Sequence, residues 1–104
     1  MSQGLVVLST VAGAEDAERI ASALVEGGLA ACVNVVPGVL SIYRWKGAVE
    51  RAEERLLLIK TTADRFEAVR RAVVELHAYE LPEVIALPIQ AGHPPYLAWL
   101  DESR

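Results

Sequence analysis

Few side chains in this sequence can donate protons, stack on a ligand or coordinate an ion: Cys32, His77, His93, Tyr43, Tyr79, Trp45, Glu54, Glu80 and Lys60. A Gly-rich phosphate loop, a GxSxG elbow, HExxH and CxxC are all missing, so the residues speak against a familiar enzyme class and for a protein that is not an enzyme. Imidazole and thiolate are the donors that a borderline divalent ion such as Cu(II) prefers, which makes His77 and Cys32 the candidate metal ligands. No pair has metal-ligand spacing, so a site built on them must draw on neighbouring copies of the chain. Each also has a plainer account. His77 closes a predicted helix, where a cation suits the negative end, and Cys32 starts a predicted strand, where a small buried residue is the common role. His93 sits in a Pro-rich loop and is expected to face water. Tyr43 and Trp45 alternate on one strand face and can pack or stack. Glu54 and Lys60, six residues apart, share a strand face.

The elements that must position these groups follow from the pattern of apolar residues. Leu5-Val6-Val7-Leu8-Ser9 is apolar on both faces, as a doubly covered strand is. Between Ala14 and Glu26, the spacing of Ala17, Ile20, Ala21, Leu24 and Val25 predicts a helix, stopped by Gly27-Gly28. Cys32 to Trp45 predicts a long strand with a bend or bulge at Pro37-Gly38. Lys46-Gly47 offers a tight turn, after which Val49 to Thr61 returns as the second arm of a long hairpin, a strand chosen over the helix that Glu50-Arg51-Ala52-Glu53-Glu54-Arg55 could also form. Asp64 with Glu67 resembles a capping box for a helix that buries Phe66, Val69, Val73 and Leu76 and pairs Glu67 with Arg71. Glu83 to Ile89 predicts an edge strand, and Tyr96, Trp99 and Leu100 give a short last helix an apolar face.

That order predicts an α+β, ferredoxin-like βαββαβ sandwich with a long hairpin between the second and third strands and a short C-terminal helix. Two helices cover one face of such a sheet. The other face and the arm must then be covered by further copies, so a closed homo-oligomer is expected.

The length of 104 residues fits a single domain spanning 1–104. With 53% apolar and 23% charged residues, the composition excludes a disordered or collagen-like chain. A net charge of -4 without a basic run argues against nucleic acid as a partner. Apolar runs such as Leu5–Leu8 and Leu56–Ile59 fall far short of the roughly 20 residues that cross a bilayer, so no membrane partner is expected. The start, Met1-Ser2-Gln3-Gly4, has no signal-like pattern, and a lone cysteine cannot form an internal disulfide, which together predict a cytoplasmic protein. A mean hydropathy of +0.29 is high for so small a chain and again predicts contact between subunits.

Taken in order, Leu29-Ala30-Ala31-Cys32-Val33-Asn34, Ser41-Ile42-Tyr43-Arg44-Trp45-Lys46-Gly47, Glu54, Leu58-Ile59-Lys60-Thr61-Thr62, His77-Ala78-Tyr79-Glu80-Leu81-Pro82-Glu83 and Tyr96-Leu97-Ala98-Trp99-Leu100 resemble the CutA family of divalent-cation tolerance proteins. The resemblance implies a ferredoxin-like fold, an interlocked homotrimer similar in architecture to the PII signalling proteins, a cytoplasmic location and a link to tolerance of copper and other divalent ions. In some bacterial members, metal binding is attributed to a cysteine at the end of the first strand and two adjacent histidines closing the second helix. Those positions here are Ser9, Leu76 and His77, of which His77 alone can coordinate well, and Ala78 stands where proline usually follows. The resemblance also implies a pocket between subunits formed by Cys32, Tyr43, Trp45, Glu54, Lys60, His77 and Tyr79. Two expectations result. One is a homotrimer that binds Cu(II) or another divalent cation weakly, through His77 with Cys32 as a soft donor. The other is a PII-like module whose cleft holds a small anionic ligand, with charge from Lys60 and stacking from Tyr43 or Trp45.

Overall fold

Residues 2–104 are described in a computed structural model. The elements run β1 (Gly4–Val11), α1 (Ala14–Glu26), β2 (Cys32–Trp45), β3 (Ala48–Thr62), a 3-10 turn (Ala63–Arg65), α2 (Phe66–Leu76), β4 (Ile85–Pro88) and α3 (Pro94–Glu102). The sheet order is β2-β3-β1-β4, with every neighbouring pair antiparallel. This is the ferredoxin-like arrangement expected from the order of elements.

The alternation of side chains explains the core. Val7 and Val11 of β1 and Leu57 and Ile59 of β3 point to the same face and are fully buried against Ile20 and Leu24 of α1 and Val69 and Val73 of α2. Burying side chains of this size contributes about 1.5–3 kcal/mol each. Register places Val6, Leu8, Leu56, Leu58, Val36, Ile85 and Leu87 on the opposite face. Neither α1 nor α2 covers them, α3 reaching this face through Leu100 at the Gly4 end, and Ile85 and Leu87 remain 50% and 51% exposed in the single chain.

β2 and β3 form the long hairpin. Its turn is Lys46-Gly47, with φ of 48° and 82° closing the Trp45↔Ala48 pair, the left-handed pair of residues that a two-residue turn of matching twist requires. The register shifts between Val36 and Val39, where Gly38 takes φ 73°, so the expected bend at Pro37-Gly38 is a bulge. Beyond Val36 the arm leaves the body of the domain and exposes Leu40, Ile42 and Val49.

Several local expectations are corrected. β4 starts at Ile85, not Glu83, because its ladder with β1 ends at Leu8↔Ile85 and the next part of β1 is used otherwise, the Thr10 carbonyl being taken by His77. The capping box does not form. Asp64 lies in the 3-10 turn and accepts from Thr62 and Arg104, which hold its carboxyl well below the usual carboxylate range, while the α2 N-cap position, Arg65, makes no capping bond. Glu67 pairs with Arg70, three residues on, rather than Arg71. In α3, Leu100 is buried, whereas the Tyr96 and Trp99 rings lie tilted against each other, centroids 5.4 Å apart, and stay 40% and 45% exposed. Among the described residues, no helix is long and apolar enough to cross a membrane.

Candidate functional site

α2 stops at Leu76, and His77 turns to an extended conformation that carries the chain across the end of β1. Its Nε2 lies 2.7 Å from the Thr10 carbonyl, and its Nδ1 accepts the Tyr79 amide N–H at 3.1 Å. An amide donating to Nδ1 uses that nitrogen's lone pair, so Nε2 carries the proton and donates to Thr10. Both ring nitrogens are therefore engaged. The imidazole also lies tilted against the Tyr79 ring, centroids 4.6 Å apart.

Tyr79 reaches back to the arm and donates its hydroxyl to Glu54 Oε2 at 2.6 Å. Burial raises the Tyr79 pKa, and the adjoining Glu54 carboxylate raises it further, so the group stays a phenol and a donor. Glu54 is 8% exposed, and its Oε1 accepts no hydrogen bond among the described residues.

Around this pair opens a cleft with a volume of 720 Å³. One wall is the inner face of the arm, where Ser41, Tyr43 and Trp45 follow each other at every second residue and pair across to Ala52, Glu50 and Ala48. The other wall is the segment from Ala78 to Leu81 with Glu83, and Thr10 and Glu54 lie between.

The structure brings Tyr43, Trp45, Glu54 and Tyr79 together around this cleft, with His77 behind Tyr79, and leaves Cys32 and Lys60 elsewhere. Those two face each other across β2 and β3, and Lys60 Nζ donates to Asn34 Oδ1 at 2.6 Å with the Cys32 sulfur 3.9 Å from the same oxygen. Residues six apart on one strand share a face yet lie about 20 Å apart. The single cluster implied by resemblance is thus two clusters within one chain. Within one chain the cleft wall carries Glu54, Glu80 and Glu83, with the Lys46 ammonium 3.8 Å from Glu80 Oε2.

Nor does one chain assemble a metal centre. Among the described residues, no three of His, Cys, Asp and Glu converge on a point, and Ser9 is fully buried with its hydroxyl unpartnered. The lining by Thr10 was missed by sequence reasoning, which has no signal for a residue brought in by its place on β1. The part played by Glu83 was readable only as the tail of the acidic Tyr79-to-Glu83 segment.

The sheet order, with two helices on one face, defines a ferredoxin-like α+β protein. A family model described as CutA1 divalent ion tolerance protein matches residues 5–103. The chain belongs to this family. It is 54% identical over 98 residues to a divalent-cation tolerance protein CutA of Thermus thermophilus, covering 94% of this chain and 95% of that one. It is 51% identical over 86 residues to a protein CutA homolog of Xenopus laevis, covering 83% of this chain and 57% of that longer protein. A solved structure of the Thermus thermophilus divalent cation tolerance protein superposes with a TM-score of 0.94 at 53% identity, covering 96% of this chain and 97% of that one.

Proposed function

We propose that this chain acts in the cytoplasm as a homotrimeric divalent-cation tolerance protein that binds Cu(II) or another divalent ion weakly and catalyses no reaction. The observation that carries this reading is the identity, at more than half the positions and over nearly the whole chain, with a relative named for divalent-cation tolerance. Weak binding fits the absence of a three-donor group among the described residues. It also fits the commitments of His77, which must release Thr10 or Tyr79 before it can coordinate. His77 remains the donor to test, with Cys32 as a soft donor offered by another copy. A PII-like module holding a small anionic ligand in a cleft between subunits is the second reading available from sequence.

Calorimetric titration of the metal-free protein with Cu(II) should give weak, saturable binding that His77→Ala reduces by about tenfold or more; superimposable isotherms would remove His77 from the site. Assembly is tested separately. The uncovered apolar sheet face and projecting arm favour association, so light scattering should give three times the chain mass of 11.3 kDa. The thermal midpoint should rise with protein concentration. A midpoint indifferent to dilution, with a mass of one chain, would refute the trimer.

A further inference from the structure

We infer that Arg19 of α1 is a positioning residue for His77: it pins the peptide that carries the imidazole and so holds the ring in its bonds to Thr10 and Tyr79, away from any ion. The hold on the ring stands without the tolerance reading, whereas its effect on metal binding rests on that reading. The Arg19 guanidinium crosses from α1 and donates through Nη1 to the Leu76 carbonyl at 2.8 Å. Its Nη2 donates to Asp16 Oδ1 at 3.0 Å, one turn back on the same helix, so both arms of the fork are fixed. α2 has no basic residue in its own last turn, and the cation that suits this negative helix end comes instead from α1.

The Leu76 carbonyl and the His77 N–H belong to one planar peptide, and that N–H donates to the Val73 carbonyl at 2.9 Å. Both polar ends of the peptide are thus held, one by α2 itself and the other by Arg19. Immediately beyond it the chain leaves the helix, His77 taking φ −76° and ψ 142°, so the plane of this peptide sets the direction in which the imidazole departs. The ring makes two bonds of its own, from Nε2 to the Thr10 carbonyl and to Nδ1 from the Tyr79 amide, and coordination through either nitrogen breaks one of them. While the peptide is fixed, the ring can leave those bonds only by rotating its own side chain. Once the Leu76 carbonyl is released, the whole residue can move with it. The Arg19 side chain is 47% exposed, so the contact adds little to global stability and its loss leaves the fold intact.

The test compares the parent with Arg19→Met, which keeps the apolar stem and loses every donor, and with Arg19→Lys, which keeps the charge but not the fork. Melting profiles check that each variant folds. In the metal-free protein, nitrogen NMR of the His77 ring reads its tautomer and hydrogen exchange reads the Tyr79 amide. The parent should show one tautomer, with the proton on Nε2. Arg19→Met should move the ring resonances toward the average of the two tautomers and speed Tyr79 exchange severalfold, with Arg19→Lys between. Calorimetry should then give Cu(II) binding about threefold tighter for Arg19→Met than for the parent, because the fraction of His77 free to coordinate rises, and adding His77→Ala should abolish the gain. A merely damaged helix end would weaken binding instead. Ring resonances and Tyr79 exchange that match the parent's would overturn the proposal and leave Arg19 a helix cap alone. So would a loosened ring with His77-dependent binding unchanged or weaker. A loosened ring in a protein whose Cu(II) binding ignores His77→Ala would remove His77 as the donor, while the hold of Arg19 on the ring stands.

Discussion

Arg65→Met should lower the stability of the folded protein by about 3 kcal/mol, the largest loss expected from any one polar side chain in the molecule. Arg65 is nearly buried, and its guanidinium donates to Thr62 Oγ1 at 2.9 Å, to the Leu100 carbonyl at 2.8 Å and to the Ser103 carbonyl at 2.6 Å. One side chain thus ties the turn after β3 to the last turn of α3. Burial draws its pKa down, with Arg104 acting in the same sense and Asp64 and Asp101 opposing, but an arginine stays charged throughout the working range. Methionine fills much of the volume and leaves these acceptors unpaired, at about 1–3 kcal/mol for each one that water cannot reach. Arg65→Lys should recover less than half of the loss, because an ammonium cannot span the acceptors a planar fork reaches. Denaturant unfolding at fixed protein concentration reads the difference, and a Met variant within 1 kcal/mol of the parent, on the scale of an ordinary surface change, would show that the α3 anchor lies elsewhere.

Ser9→Ala carries the opposite sign and should stabilise the protein by about 1–2 kcal/mol. Ser9 lies between Val7 and Val11 on the buried face of β1, paired with Leu57, and its hydroxyl is fully enclosed without a partner. An unpaired buried hydroxyl costs about 1–3 kcal/mol, which alanine removes at the expense of a small void. The midpoint of denaturation should move to higher denaturant with an unchanged slope. A destabilised variant would mean that the hydroxyl is satisfied, as by an enclosed water.

What sequence could show depended on the range of the interaction. The two long strands, the bulge at Pro37-Gly38 and the Lys46-Gly47 turn are written in neighbouring residues, and period-two spacing placed Tyr43 and Trp45 on one face of the arm. α1 matched its expected limits because apolar spacing and Gly27-Gly28 are local signals. The capping box failed because Asp64 found its partner at Arg104, the far end of the chain. Arg65 passed unnoticed for the same reason, since backbone carbonyls of α3 carry no mark in the residue types that supply them. Tyr79 and Glu54 were both singled out, but only the fold shows that they meet. Glu54 and Lys60 share a face of β3 as their spacing implied, about 20 Å apart along it.

The place of β1 in the sheet also bears on how the polypeptide matures during synthesis. Within the domain β1 is made before the other strands, yet Leu5 pairs with Thr61 on one side and with Pro88 on the other, and Arg65 binds the Leu100 and Ser103 carbonyls, made more than thirty residues after it. Such distant pairings close slowly. The nascent domain therefore carries its future centre unpaired on one side until β3 has been made, and on the other until β4 has.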